Sequence, residues 1–340
     1  MLAHDEVAVK RHYYDAFRQI ASARESDIDR LVRENFAPDV RYFGSHPLDE
    51  ITGASDIAQR VWRPLSASFR DLRRCDDILI GGHFQGKDWI SATGYLHGTF
   101  VQPYLDIPAT GNWAYLRYGE FHRIENGRIL ESYVIYDLPD LMRQAGVRPW
   151  RSGVAAETLM PGPASRDGVV LTAQDRGETR KSLELVEAMI FGGLLTFDGD
   201  DSASMGMERY WTPDMMWYGP GLIGATMGLD AFLKFHQEPW QNAVRPRGAL
   251  TARDRKHVAR FGDGPFCSFA VWPSLYATRG ADLLGVPTTE QPVDIRVMDF
   301  YHRSGDRLNE NWILIDFPHL FQQLGVDLFA RMRESSNNAG

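Results

Sequence analysis

The chain has 340 residues, a formal net charge of −8, and 44% hydrophobic, 24% charged and 12% aromatic residues. That is the composition of a globular protein with room for two domains, at roughly 150 residues each. No run of about 18 apolar residues is present to span a membrane, and the acidic balance argues against nucleic acid, whose phosphates need a basic face.

The opening MLAHDEVAVKRHYYDAF carries acids and bases where an export signal would be apolar. Cys75 and Cys267 are the only cysteines and lie far apart. A disulfide or a cysteine metal site is not expected, and a cytoplasmic location fits. Val9, Tyr13, Phe17 and Ile20 recur at helical spacing, and a short helix with Ile28, Leu31 and Val32 follows. A Pro-Asp turn then leads into the strand VRYFG, and Ile57, Val61, Leu65 and Phe69 mark a third helix. Past RDLRRC, read as a solvated strand end, come strands broken by glycine turns. Asn126-Gly127 suits a tight hairpin turn between YGEFHRI and RILESYVIYD, because both residues tolerate positive φ. LPDLMRQAG closes the series as a short helix stopped by its glycine.

The series then repeats. Arg128–Val147 and Arg307–Val326 share eight identities in twenty positions, where chance gives about one. NFAPDVRYFG (Asn35–Gly44) aligns without gaps on YWTPDMMWYG (Tyr210–Gly219), so the offset is 175 residues at this anchor and 179 at the other. Leu183, Val186, Ile190 and Leu194 repeat the opening helix, and Leu229 to Val244 repeats the third. Helices followed by a run of antiparallel strands give an α+β fold. The expected domains are residues 1–149 and 179–335, joined by a linker over 150–178 that is rich in Pro, Gly, Ser and Thr.

FYHRSGDRLNENWILIDFPHLFQQLG, its partner EFHRIENGRILESYVIYDLPDLMRQAG and the hairpin LDIPATGNW resemble the SnoaL-like polyketide cyclases of the nuclear transport factor 2-like superfamily. Copy one departs from the motif with Tyr133 for Trp and Ala145 for Leu, and Asp106 replaces a glycine of the hairpin. The resemblance implies two tandem cone-shaped domains, each a curved antiparallel or mixed sheet wrapped around about three helices. It also implies a small-molecule ligand, and pairing of sheets between two chains or between the two copies of one chain. The aspartates Asp137 and Asp316 match the family's acid/base group, which moves a carbon-bound proton flanked by carbonyls during ring closure. Ketosteroid isomerase, another cone-shaped enzyme, uses an Asp base in an apolar site. Such chemistry requires neither a metal nor an organic cofactor.

Alternation in a strand puts Glu131, Tyr133, Ile135 and Asp137 on one face, and Glu310, Trp312, Leu314 and Asp316 on another. Partial desolvation there would raise the carboxyl pKa. Each aspartate also fits a helix N-cap, in Asp-Leu-Pro-Asp and Asp-Phe-Pro-His. His122 and, in Tyr301-His302, His302 are the candidates to assist. Tyr42, His46 in the loop GSHPLDEITG, Trp62, His97 and Tyr133 are candidate substrate contacts in copy one. Copy two is the more aromatic, with Trp217, Tyr218, Trp240, Tyr276 and Trp312. Copy one is favoured as the active half because it keeps the fuller hairpin motif and His97. Neither His-Glu-x-x-His, Cys-x-x-Cys, Gly-x-Ser-x-Gly nor a phosphate-loop ending occurs, so metal, serine-nucleophile and nucleotide chemistry are unsupported. The readings carried forward are a cofactor-independent cyclase, isomerase or lyase acting on an apolar carbonyl compound, a non-catalytic metabolite-binding or scaffold protein, and an epoxide or ester hydrolase.

Overall fold

The computed structural model describes residues 3–150, 153–197, 202–246, 255–278, 281–288 and 292–337. They group into two units: Met1–Pro149, Gly162–Ala173 and Leu328–Gly340 in the first, and Trp150–Pro161 and Gln174–Asp327 in the second. The segment read as a linker therefore contributes to both units.

The first unit opens with α1 (Ala3–Ala21) and α2 (Glu25–Asn35), which bury Tyr13, Phe17, Ile20, Ile28 and Val32 along one stripe, as their spacing requires. Then come β1 (Phe36–Gly44), β2 (Glu50–Thr52), α3 (Ala54–Ile57), a π-helical turn (Ala58–Trp62) and α4 (Arg63–Ser68). The long strands β3 (Phe69–Phe84), β4 (Lys87–Phe100), β5 (Trp113–Glu125) and β6 (Arg128–Tyr136) follow, and α5 (Leu138–Gln144) ends the series. The sheet order is β2-β1-β6-β5-β4-β3, antiparallel throughout except between β1 and β6. Asn126 and Gly127 take φ of 51° and 72°, the positive pair that the β5–β6 turn requires. β3 pairs with β4 through two register shifts, between Arg70 and Arg73 and between Asp76 and Ile78, and the backbones come close there. A Cβ on Gly98 would sit 2.7 Å from the Arg70 carbonyl oxygen, and one on Gly94 would drive into that of Cys75. Only glycine lets the two backbones approach so near.

Residues 162–173 are built into this unit. Val169 bridges Leu79, and the buried Lys10 ammonium donates to the Thr172 carbonyl at 3.0 Å. The last helix, α10 (Leu328–Asn337), belongs here too, burying Leu328, Phe329 and Met332.

The second unit repeats the plan. α6 (Arg176–Gly192) leads through short 3₁₀ turns to β7 (Trp211–Tyr218), β8 (Ala225–Met227), α7 (Leu229–Phe232), a π-helical turn (Leu233–Gln237) and α8 (Glu238–Ala243). Next are β9 (Val244–Pro246), β10 (Arg255–Asp263), β11 (Phe266–Thr278), the small ladder β12 (Asp282–Leu283) with β13 (Val286–Pro287), β14 (Pro292–Ser304), β15 (Arg307–Ile315) and α9 (Phe317–Gln323). The sheet order β8-β7-β15-β14-β11-β10 matches the first unit position by position, again with one parallel pair, β7 and β15; β9 adds on β11. Each unit is thus an α+β layer of helices on a mixed sheet, as expected.

The π turn recurs for one reason. Pro64 and Pro239 lie just after it, inside what would be one continuous helix. Proline lacks the N–H for an i→i−4 bond and its ring clashes with the carbonyl four residues back, so the preceding turn widens.

Candidate functional site

In the second unit, the sheet, α6 and the π turn line a partly open cavity of ≈ 140 Å³. Its walls are mostly apolar, aliphatic side chains standing beside the aromatic Trp211, Trp217, Phe232, Trp240, Phe269 and Tyr301. Asp299 reaches it from β14, and Asn311 from the neighbouring position on β15. His236 and Gln237 reach it from the π turn, and Gln241 from α8. Widening the turn before Pro239 therefore decides which side chains the helix points at the sheet.

Asp299 is the carboxyl group of this cavity. Asn311 Nδ2 donates to its Oδ1 at 3.3 Å, and the Tyr301 hydroxyl also bonds it. Burial pushes its pKa from 3.8 up to about 7, against the lowering effect of those two donors. Asp299 keeps some accessible surface, as a cavity-lining group must. The Tyr301 hydroxyl is pushed well above its usual pKa by burial and then by Asp299. His236 is buried with its ring stacked on Trp217 at 4.0 Å between centroids. Burial drives its pKa down to about 3, so it stays neutral at physiological pH. Neither Lys nor Arg is among the described lining residues. Next to the aromatic walls stand a neutral imidazole, three amides and a carboxyl group that titrates near neutrality, a set suited to proton transfer.

The first unit uses the same strand position differently. Glu120 occupies the place on β5 that Asp299 has on β14, each two residues before the one paired with β6 or β15 at Ser132 or Asn311. Burial would raise the Glu120 pKa, but Arg74 and then His122 outweigh it and hold it at about 2. The Arg74 guanidinium is ion-paired with Glu120 and, at 2.6 Å, with Asp76, and it lies over the Phe17 and Tyr118 rings at 4.7 and 4.4 Å. The interior carboxylate of this unit is locked in an ion pair.

Asp137 and Asp316 are both buried and both cap helices. Asp137 accepts from the Asp140 N–H at the start of α5, and Asp316 from the His319 N–H at the start of α9, each at 3.3 Å. Asp316 also pairs with Arg296 at 3.0 Å. His122 stacks on Phe17, bonds Ser132 Oγ through Nδ1 at 2.9 Å and has Nε2 3.4 Å from Glu120.

His302 is not the structural counterpart of His122. Cross-strand pairing matches Tyr301–Asn311 to His122–Ser132, and His302–Glu310 to the ion pair Arg123–Glu131. A slip of one residue turns a strand side chain to the opposite face. Accordingly Tyr301 lines the cavity and His302 points away, 3.3 Å from Glu310 and beside the Phe266 ring.

The same alternation sorts the aromatic candidates. Trp217 and Trp240 line the cavity. Asn311, Ile313 and Ile315 do too, so Trp312 faces the other side, where its indole N–H donates to the Pro161 carbonyl at 2.7 Å and its ring stacks on Tyr218. Tyr133 likewise stacks on Phe43 at 4.7 Å on the face opposite Ser132. Tyr42, the counterpart of Trp217, is buried, and Trp62 is buried on the first π turn. His46 bonds Asp49 in its turn at 2.9 Å. His97 lies opposite Tyr115 with its ring 5.9 Å from the exposed Trp113. The Tyr276 side chain lies outside the described residues.

Asp299, Tyr301, His236, Gln237, Gln241 and Asn311 were not singled out as site residues by sequence. A signal for three of them exists in the repeat. At the 175-residue offset His236 and Gln237 replace Val61 and Trp62, and at 179 Asp299 replaces Glu120. A polar pair where the sister copy has apolar core is the kind of departure that a site produces. Among the described residues, no three His, Cys, Asp or Glu side chains gather to hold a metal ion, and no helix is long and apolar enough to cross a membrane.

The sequence profile of the SnoaL-like polyketide cyclase family matches residues 11–145. The first unit is a SnoaL-like domain. Solved structures similar to the chain include TsrD from Streptomyces laurentii, 22% identical with a TM-score of 0.35 over 41% of this chain and 96% of its own. IdmH from Streptomyces antibioticus is 21% identical with a TM-score of 0.33, over 39% of this chain and 98% of its own. A protein with a ketosteroid isomerase-like fold from Catenulispora acidiphila DSM 44928, solved with trimethylamine, is 16% identical with a TM-score of 0.31, over 39% of this chain and 91% of its own. No curated protein matches the sequence. The second unit lies outside the matched SnoaL-like residues and repeats the strand order of that domain.

Proposed function

We propose that the chain is an acid/base enzyme of the cyclase, isomerase or lyase class, acting on an apolar carbonyl compound in the cavity of the second unit. The observation that carries this reading is Asp299, a largely buried carboxyl group whose pKa is pushed up to about 7, in an apolar cavity with no cationic side chain among its described lining residues. Ionised, it removes a proton from a carbon beside a carbonyl. The C–H electron pair moves into a C=C bond and the carbonyl electrons onto oxygen, giving an enolate. Protonated Asp299 then returns the proton to carbon or oxygen, or the enolate carbon attacks a second carbonyl and closes a ring, the π electrons of that carbonyl moving onto its oxygen, which takes the proton from Asp299. A carboxylate in an apolar cavity is a stronger base than one in water, because its neutral form is favoured there.

In this reading Asp137 and Asp316 cap α5 and α9, and the first unit is the structural partner, its Glu120 held by Arg74. The test is deuterium uptake from D₂O into cyclic and open-chain ketones, measured by mass spectrometry. Wild-type protein and the Asp316→Asn variant exchange, whereas Asp299→Asn slows exchange by at least about 100-fold, the scale of one general base. Equal exchange by wild type and Asp299→Asn overturns the assignment.

A further inference from the structure

The loop between β4 and β5 of the first unit folds into a tight turn. Tyr104 and Ile107 each donate an N–H to the other's carbonyl, at 3.1 and 2.9 Å. The two residues between them take positive φ, 50° at Leu105 and 65° at Asp106. The second unit makes the same turn between β12 and β13 with Leu284 and Gly285. Glycine adopts that conformation freely, whereas a residue with a side chain is held there by its surroundings.

The surroundings of this turn are specific. Arg333 of α10 pairs with Asp106 at 3.0 Å on the surface. α10 is itself braced by Phe329, whose ring lies 6.2 Å from that of His46. Tyr104 takes the place of Leu283 at the 179-residue offset and is buried, its ring edge-on to Phe69 at 6.5 Å. Burial, and then mutual proximity, push the hydroxyls of Tyr104, Tyr42 and Tyr136 well above the usual tyrosine pKa. Tyr42 and Tyr136 are the counterparts of Trp217 and Ile315, which line the open cavity of the second unit. The first unit thus sets a phenol of its own beside the positions that border open space in its sister.

We propose that residues 101–112 are a lid latched by Arg333, and that Tyr104 plugs a second site, which a neutral phenolic compound enters by displacing it. The ligand class follows from what the plug leaves behind. Phe69 offers an aromatic wall, and Tyr42 and Tyr136 offer two hydroxyls that stay uncharged. Glu120, held ionised by Arg74, is near enough to raise the pKa of both. A phenolate placed there would be desolvated next to a carboxylate, so the neutral form is the one that binds. This site is separate from the Asp299 cavity, and neither reading rests on the other.

The full chain is titrated with p-cresol, the tyrosine side chain as a free molecule, and with toluene, by calorimetry and hydrogen–deuterium exchange. Saturating p-cresol should speed exchange in wild-type peptides covering 101–112, because the lid must leave, whereas toluene should not. Arg333→Gln should speed the same peptides by up to about fivefold without ligand, the scale of one exposed ion pair, and leave β5 and β6 unchanged. Tyr104→Ala should bind p-cresol at least about tenfold more tightly than wild type, since no plug has to be displaced first. Tyr104→Phe keeps the core filled and removes only the hydroxyl, so it serves if the alanine variant fails to fold; its gain should be about fivefold. Binding of p-cresol by wild type with exchange in 101–112 unchanged overturns the proposal, even where second-unit peptides are protected. So do Tyr104 variants with no more than wild-type affinity, or lid exchange indifferent to Arg333→Gln. Asp299→Asn should leave every one of these responses intact, so a failure of the lid and a failure of the Asp299 reading are told apart.

Discussion

Replacing Asp299 by Asn should stabilise the second unit at neutral pH while removing activity. The folded-state pKa of Asp299 is raised from 3.8 to about 7. Between those values the native state holds a proton that the unfolded state has released. The group's stabilising contribution is therefore complete below about pH 4, declines as pH rises towards 7, and is gone above it. About three pKa units at 1.36 kcal/mol each give ~4 kcal/mol as an upper bound on the penalty that ionised Asp299 imposes. Water entering the cavity relieves part of it, so ~2 kcal/mol is the expected gain from Asn at pH 8. Asparagine keeps an oxygen to accept from Asn311. Urea unfolding of both proteins at pH 4 and pH 8, with hydrogen–deuterium exchange to resolve peptides of the second unit, measures the difference. It should be near zero at pH 4, where the acid and the amide are both neutral, and about 2 kcal/mol in favour of Asn at pH 8. An Asn variant with the same deficit at both pH values would falsify the claim that Asp299 is desolvated and destabilising.

Glu120→Gln should behave in the opposite sense. The Glu120 pKa is held down at about 2 by Arg74 and His122 against burial, so its stabilising contribution is present above about pH 4.5 and lost as pH falls towards 2. The variant leaves Arg74 with one carboxylate fewer, costs about 3 kcal/mol in the first unit at pH 7, and flattens the acid limb of its stability curve without changing deuterium uptake. Asp316→Asn keeps the cap on α9 but weakens the pair with Arg296; a loss of about 1–3 kcal/mol in urea unfolding with unchanged exchange activity is expected. Gly94→Ala pushes a methyl group into the Cys75 carbonyl where β3 crosses β4, and should lower first-unit stability by about 2–3 kcal/mol.

The fold was legible because it is written in features local to the chain. Helical stripes such as Tyr13, Phe17 and Ile20, the Asn126-Gly127 turn, and the Asp caps before Pro139 and Pro318 act within a few residues, and each does so in the structure. The site is assembled from parts far apart in sequence. Its carboxyl group sits mid-strand in VMDFYHR, where alternation alone decides between Asp299, facing the cavity, and the histidine three residues on, facing away. At the 179-residue offset the His-Arg pair lies one residue later in the second copy, so matching the two HR motifs directly assumes the wrong register. The π turn before Pro239, which orients His236 and Gln237, lies inside the stretch Leu229 to Val244 that the helical spacing reads as one continuous helix. The preference for the first copy rests on its fuller hairpin motif, which reports fold, and on His97, which lies opposite Tyr115 with its ring near the exposed Trp113. What distinguishes the copies chemically is that Arg74 neutralises Glu120, whereas the described residues lining the cavity around Asp299 include no cation.

The most direct test of Asp299 as the proton-transfer group is the pH dependence of kcat/KM for deuterium exchange, measured on wild type, Asp299→Asn and Asp316→Asn with one exchanging ketone. Because the base must be ionised, the wild-type rate should rise with pH through a single ionisation near 7, Asp316→Asn should keep that midpoint, and Asp299→Asn should lose both the rate and the ionisation. A wild-type midpoint near 4, or a rise near 7 that survives in Asp299→Asn, would contradict the account.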